Sequence, residues 1–360
     1  MRIAFFGSSL VSAYWNGAAT YYRGMLRALA ERGHETTFYE PDAYDRQSHV
    51  DHPNPGYATS VVYDNTIEAM GRAVAEADGF ADVIVKASGV GVFDRELEEL
   101  VATKLKRPDR ACVFWDVDAP ATLDRTFNDE ADPFRRQASA YDVVLTYGGG
   151  PPVVEAYAKL GVKRCVPIYN ACDLSTHHRV PANPKFACDL ALLANRLPDR
   201  EERIGTFFLD VARLLPNKLF LLGGNGWHDA KLPPNVQAIG HVAPPDHNAF
   251  NCTPRAVLNV NRESMARYGW SPATRVFEAA GAGACLITDA WKGIEDFLEP
   301  DAEVLVASDA EAVAAHLESL DEAKAKAVGD AAERRVAKDH TYEARADLAE
   351  QELLAAIERG

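Results

Sequence analysis

The stretch Ala256–Asp289, AVLNVNRESMARYGWSPATRVFEAAGAGACLITD, decides the fold, because it reads in turn as strand, basic loop, helix and strand. Ala256–Val260 and Ala284–Thr288 are short apolar runs of the kind buried in parallel sheets. A single helix is predicted between them. It starts at Ser271-Pro272, where a hydroxyl suits the N-cap and a proline suits the first helical position. The unpaired amides of such a terminus carry about half a positive charge and favour phosphate. Arg262, Arg267 and Arg275 flank that start, Glu278 falls two turns into the helix, and Gly281 and Gly283 permit close packing. So many such features in one short segment predict an anion site, not merely a buried helix with solvated arginines.

Working outward, the same alternation recurs on both sides. Strands are predicted at Arg2–Phe6, Thr36–Tyr39, Val83–Lys86, Cys112–Trp115, Val143–Thr146 and Cys165–Ile168, separated by helical patterns such as Tyr22, Met25, Leu26 and Leu29 closed by Gly33. After a polar linker, Tyr169–Lys185, strands resume at Leu190–Ala194, Leu219–Leu222, Val236–Ile239, Ala256–Val260, Cys285–Thr288 and Val304–Val306. Alternation of this kind gives a parallel sheet with helical crossovers, here twice. Pro41–Tyr63 lacks periodicity and is predicted to be a surface loop. From Asp309 the chain reads as Ala/Glu-rich helix ending in the amphipathic Tyr342–Arg359. The expected division is an N-terminal domain and linker over 1–180, a second domain over 181–336, and a final helix over 337–360 that packs back on the first.

Composition narrows the function classes. At 360 residues the chain is long enough for two α/β domains with a core each. A net charge of −15 opposes nucleic acid as a partner, whereas local arginine clusters in an acidic chain suit a small phosphorylated ligand. No apolar run is long enough for a transmembrane span and no leader precedes the first strand, so a cytosolic location is expected. The six cysteines contain no CxxC pair and are expected to be reduced core thiols. Gly7-Ser8-Ser9 and Ala194-Asn195-Arg196 follow the first strand of each half without a GxGxxG pattern, which disfavours a nicotinamide or flavin cofactor.

Leu192–Phe208 (LLANRLPDREERIGTFF), Leu221–Asp229 (LLGGNGWHD) and Asn259–Asp289 resemble the two-domain GT-B glycosyltransferases, and among them the spore-maturation-protein (CgeB-like) glycosyltransferases. The resemblance spans the second half; in the first it reaches only the opening strand and VFWDVDAPATL at Val113–Leu123. It implies two doubly wound, Rossmann-like domains facing across a cleft, with a nucleotide sugar held by the second. By that resemblance Glu278 is similar to the glutamate that accepts from the donor ribose hydroxyls, and Ser271, Pro272, Ala273 and Thr274 line the diphosphate. Retaining relatives carry an acid eight positions before that glutamate, where this chain has Trp270, a ring that can stack on a sugar, with Glu263 as a compensating acid in the preceding loop.

Physical reasoning adds the remaining candidates. A leaving nucleoside diphosphate gains negative charge, which arginines and a helix terminus stabilise without a metal. Arg196 and Arg262 are the first choices, with Arg200 and Arg275 in support. Gly223-Gly224-Asn225-Gly226 lets backbone approach a ligand or simply makes a glycine turn, and His241 can meet the base through backbone atoms. If the reaction inverts, a general base is needed, and Asp116 and Asp118 follow the Cys112–Trp115 strand at its ligand-facing end. Asp118 also suits a helix N-cap. Asp-Val-Asp matches the metal-binding pair of the single-sheet glycosyltransferase fold as well, but the donor site lies elsewhere in the chain. His177-His178 lack a third ligand and are expected at the surface. Asn16, Gly17 and Gly89 lie in loops expected to line the acceptor, which is a sugar, polysaccharide, protein or small molecule. The expected function is metal-free and cofactor-free transfer of a sugar from a nucleotide diphosphate to a hydroxyl. The rivals are a nucleotide-sugar epimerase, which needs no acceptor, and a catalytically silent nucleotide-binding assembly protein.

Overall fold

A computed structural model describes residues 1–359 apart from the side chain of Asp199. Its chain forms two compact units, one of Met1–Tyr169 with the chain from Tyr342 on, the other of Asn170–Thr341. Among the described residues thirteen strands, all paired in parallel, make two sheets.

The first sheet contains β1 (Arg2–Phe6), β2 (Glu35–Pro41), β3 (Thr59–Tyr63), β4 (Val83–Ala87), β5 (Ala111–Asp116), β6 (Val143–Thr146) and β7 (Cys165–Pro167), in the order β3-β2-β1-β4-β5-β6-β7. The order reverses direction beside β1, as in a doubly wound sheet. β3 is the element that periodicity missed: it lies inside the segment expected to be a loop. As an edge strand it leaves Thr59 and Val62 exposed, so its apolar signal is weak. The core of this unit is aromatic. Phe5 stacks on Phe38 at 5.2 Å, and the fully buried Trp115 donates its indole N–H to Tyr21 Oη at 2.9 Å. The helix Tyr342–Arg359 packs on Ala19–Glu31, where Gly24 leaves room for Tyr342: a Cβ there would stand 2.2 Å from the ring.

The second sheet contains β8 (Leu190–Leu193), β9 (Phe220–Gly223), β10 (Val236–Gly240), β11 (Ala256–Asn259), β12 (Leu286–Asp289) and β13 (Leu305–Ala307), ordered β10-β9-β8-β11-β12-β13. Leu192, Phe208, Phe220, Leu258 and Ile287 are among the buried residues of its core. Residues 170–180 fold with this unit, beyond the expected boundary at 180. Cys172 N–H donates to His340 O at 2.9 Å, and Val180 N–H lies 3.5 Å from Cys252 Sγ. The same pairing keeps His340 and Thr341 here, so the unit ends at 341, not 336.

All six cysteines are free, with Cys112, Cys172 and Cys285 buried and Cys165, Cys188 and Cys252 partly so. Burial pushes the Cys112, Cys165, Cys188 and Cys285 thiols up to about 12, away from the reactive thiolate. Among the described residues no helix is long and apolar enough to cross a membrane.

Candidate active site

Because every strand of the second unit is parallel, the loops after β8, β9, β10, β11 and β12 emerge at one edge of the sheet. Arg196, Gly224–Gly226, His241, Arg262 and the start of the helix Thr274–Gly281 all belong to that edge. The decisive stretch contains two helices, Glu263–Tyr268 and Thr274–Gly281, where one was expected. Gly269 divides them with φ +72.

The expected cap is corrected as well. Helix Thr274–Gly281 starts two residues after Pro272, Ala273 is its N-cap, and no side chain caps it. Ser271 is buried and donates its hydroxyl to Gly269 O at 3.0 Å, so it braces the turn between the helices. Val276 N–H donates to Ala273 O at 2.9 Å, and no side chain caps the amides of Thr274 and Arg275, which face an external acceptor. Arg275 is half-buried in this turn; desolvation lowers its pKa while Glu278 pulls it up.

Glu278 lies just over one turn into this helix, with one histidine against its carboxylate and a second near enough to feel its charge, neither placed there by sequence reasoning. His177 Nε2 stands 3.6 Å from Glu278 Oε1, which corrects the expectation of a surface histidine pair; His178 alone is exposed. His247 is close enough for Arg275 and Glu278 to act on its charge, and burial holds its pKa below the ordinary value. No spacing in the sequence links 177, 247 and 278.

Arg196 is held between Glu201 (2.6 Å) and Asp229 (2.9 Å), and the hydrogen bond to Glu201 raises its pKa. Arg200 lies on the helix Pro198–Ile204, and Arg262 takes the N-cap position of Glu263–Tyr268, both half-buried. The Gly224 loop is built against the Ala194 loop: Arg196 N–H donates to Asn225 O at 2.9 Å, and a Cβ at Gly224 (φ +117) would stand 2.1 Å from Ala194 O. Close backbone approach there serves loop on loop. Gly226 (φ +89) faces Arg196, and His241 is exposed just beyond β10.

Trp270 takes φ +42, donates its backbone N–H to Lys292 O at 2.7 Å and its indole N–H to Asp296 Oδ2 at 2.5 Å. Glu263, the expected compensating acid, is instead paired with Arg203 at 2.8 Å.

Arg203 is a second residue that the sequence did not single out. It donates to Asn261 O at 3.0 Å and to the fully buried Asp289 Oδ2 at 2.5 Å, tying the ends of β11 and β12 together. Asn259 Nδ2 bridges Asn261 and Thr288, each at 3.1 Å, while the buried Asn261 Nδ2 has no hydrogen-bond partner among the described residues.

In the first unit the aspartate pair separates. Asp116 is fully buried: Oδ1 accepts from Thr122 Oγ1 and from Asp118 N–H, both at 3.0 Å, and Oδ2 accepts from Tyr157 Oη at 2.5 Å. That arrangement fixes the strand end and leaves no edge for an acceptor, so the expected catalytic role for Asp116 is corrected to a structural one. Asp118 is half-buried at the N-cap position of Ala119–Asn128, and its side chain does not cap that helix. Asn16 is also turned inward, accepting from Ser8 Oγ and donating to Ser9 O and Ser12 O. Gly17 and Gly89 (φ +66) have open space where a Cβ would stand. A surface hollow lined by Arg2, His34, Thr37, Tyr57 and Phe80 lies by the N-terminal ends of β1, β2 and β3, and no candidate residue lines it. Among the described residues no three His, Cys, Asp or Glu side chains are grouped to hold a metal ion.

Residues 200–351 match the family described as glycosyl transferase-like. No curated protein sequence matches the chain. Among solved structures it is similar to HepE from Anabaena in complex with UDP and glucose, with a TM-score of 0.67 at 14% identity, covering 99% of this chain and 100% of that one. Sucrose-phosphate synthase from Thermosynechococcus elongatus gives 0.68 at 15% identity over 99% and 100% of the two chains. An alpha-glucosyltransferase in complex with UDP-glucose and DNA containing an abasic site gives 0.69 at 13% over 99% of each. With both parallel sheets matched in this way, the chain has the GT-B fold and carries a glycosyl transferase-like domain at residues 200–351.

Proposed function

We propose that the protein is a glycosyltransferase that moves a sugar from a nucleoside diphosphate, UDP in the first instance, to a hydroxyl of an acceptor held by the N-terminal unit. The observation that carries the reading is the uncapped start of Thr274–Gly281 at the same sheet edge as Arg196 and Arg262. Helix amides, two arginines and the unpaired Asn261 amide donor supply positive potential and hydrogen bonds for a diphosphate. Glu278 receives the ribose hydroxyls, with His177 beside its carboxylate and the charge of Arg275 near it. Ser271 and Pro272 shape the preceding turn, Trp270 closes the sugar side, and His241 borders the base.

In the reaction the bond from the anomeric carbon to the β-phosphate oxygen breaks and its electron pair leaves with the diphosphate. The acceptor oxygen forms the new bond and its proton passes to a base, for which we assign Asp118. Arg196 exchanges its contacts with Glu201 and Asp229 for phosphate oxygens; a guanidinium gives bidentate contact to either partner. Positive potential from these groups stands in for a divalent cation, and no cofactor beyond the donor substrate takes part. The free thiols suit a reducing, cytosolic compartment. On the three sequence blocks named above we also assign kinship with the CgeB-like enzymes.

Calorimetric titration with UDP tests the donor site. Glu278→Ala removes a charged acceptor of a hydrogen bond worth about 1.5–3 kcal/mol, so affinity should fall by about tenfold or more. Unchanged affinity in a folded variant would remove Glu278 from the site. Hydrolysis of UDP-glucose, or its transfer, should continue in EDTA. Activity that vanishes with chelator and returns with manganese would instead make the reaction metal-dependent.

A further inference from the structure

Away from the donor edge, the N-terminal unit displays aromatic rings that its own core does not use. Trp15 is 74% exposed, Tyr44 54% and Tyr14 38%. Scattered single apolar residues on a surface need no explanation, but several large rings on adjoining loops do. All three lie on the loops after β1 and β2, at the strand ends where doubly wound sheets take ligands.

Their backbone is held in an unfavourable form. Trp15, Tyr44 and Asp45 take φ of 47, 57 and 57, and Phe93 on the loop after β4 takes 56. Left-handed conformations of this kind in non-glycine residues persist where the surroundings enforce them, and they cluster at ligand sites.

The surroundings do enforce them here. Arg46, buried, donates from Nη1 to Ser8 O at 3.0 Å, and its guanidinium lies 5.0 Å from the centre of the Tyr44 ring. Tyr44 Oη donates to Gly91 O at 2.8 Å. Tyr14 stacks on His49 with centroids 3.8 Å apart, and Ser12 Oγ donates to His49 O at 2.8 Å. Asp51 accepts from Ala13 N–H and from Arg23, joining the two loops again. The rings are therefore presented on a braced frame, and little order has to be created on binding.

We propose that Trp15, Tyr14 and Tyr44 form the acceptor platform and that the acceptor is a neutral saccharide. A pyranose offers an apolar C–H face to an aromatic ring and hydroxyls to polar groups around it, and the rings here are interleaved with Asp45, His49 and Asp51. The same acidic neighbours, in a chain of net charge −15, oppose an anionic lipid surface or a polyphosphate. The assignment rests on the reading that this unit holds the acceptor, and it names the class of acceptor.

The test uses a printed array of neutral oligosaccharides, probed with the full chain in the presence of UDP. Wild-type protein should bind saccharide, and Trp15→Ala and Tyr44→Ala should each lower that binding by about tenfold, the scale of a lost aromatic contact. Trp15 is the most exposed of the three, so Trp15→Ala should keep the wild-type melting temperature and UDP affinity; Tyr44→Ala gives up the bond to Gly91 O and the contact with Arg46, so it should melt lower and still keep UDP affinity. No saccharide binding by the wild type, or binding that neither substitution changes, overturns the platform. Trp15-dependent adherence to phosphatidylglycerol vesicles without saccharide binding also overturns it and makes the cluster a membrane contact. UDP affinity is read in parallel, so a failed donor site with saccharide binding intact strikes only the donor reading.

Discussion

Asp118→Asn should cut sugar transfer by about 10²–10⁴, the usual contribution of a general base, and leave UDP affinity as it was. The separation follows from where the residue sits. Asp118 belongs to the N-terminal unit, at the end of β5, whereas Glu278, Arg196 and Arg262 belong to the other unit. Its neighbour cannot take the role. Asp116 is fully buried, and both of its oxygens already accept hydrogen bonds, one from Tyr157 at 2.5 Å. Those bonds hold the turn that sets Asp118 at the head of Ala119–Asn128, where its side chain makes no capping bond. Asn has the shape of Asp but is not a base, so the variant should fold as the wild type does. A base acting on the acceptor hydroxyl implies direct displacement, and NMR of the product should show an anomeric configuration opposite to the donor's. A fully active variant or a retained configuration would defeat the assignment and leave Asp118 as a helix-start residue. The absence of an acid at position 270 accords with inversion; Trp270 fills that place with its indole N–H committed to Asp296.

The strands were legible because each is a short apolar run between turn signals, and the expected ranges lie within two residues of the observed ones wherever both faces of the strand are buried. β3 was not, because its run Thr59–Tyr63 ends a stretch of prolines, histidines and aspartates that hides its weak edge-strand pattern, whereas β10, equally exposed, stands clear of such a stretch. The decisive stretch gave its strands and its helical character correctly but not its cap. Ser271-Pro272 has the composition of a helix start, yet Gly269 and Trp270 turn the chain so that Ser271 bonds backward to Gly269 O and the helix waits for Thr274. Local propensity offered one start, and the positive φ at 269 and 270 selected another. Among the candidate residues, Glu278, Arg262 and Arg275 were readable as neighbours because they fall in one segment. His177, His247 and Arg203 were not, because each comes from a different element and only the folded sheet brings it in. The exposed Trp15 and Tyr44 were missed for a related reason: an aromatic residue in a sequence reads as core until burial says otherwise.

Arg203 should prove to be a principal support of the sheet edge that carries Asn261 and Arg262. Arg203→Met should destabilise the protein by about 3 kcal/mol at pH 8, near the lower end of the cost of stranding one partner of a buried ion pair. Arg203 is itself partly exposed, its side chain 20% accessible, whereas Asp289 is fully buried; the penalty therefore comes from the carboxylate left behind. The Arg203 guanidinium carbon lies 5.4 Å from the centre of the Phe207 ring, and methionine fills part of that space with a thioether that suits an aromatic neighbour, so lost volume is a minor part of the effect. Burial already pushes the Asp289 carboxyl above its ordinary range, against the opposing pull of the Asn261 amide and of Arg203. Removing the guanidinium removes part of that pull and raises the carboxyl further. A carboxyl whose folded pKa lies above its unfolded one binds more protons when folded, so its contribution to stability falls as pH rises between the two values. The deficit of Arg203→Met should accordingly be smallest near pH 5, where Asp289 can take up a proton, and should widen toward pH 8. Urea unfolding at the two pH values measures it directly. Equal deficits at both would mean that Asp289 keeps its charge without Arg203, held by Asn261 N–H and Thr288 Oγ1 alone. A widening deficit would show that the edge carrying Asn261 and Arg262 stands on this ion pair, and UDP affinity in the variant should then fall along with stability as the pH is raised.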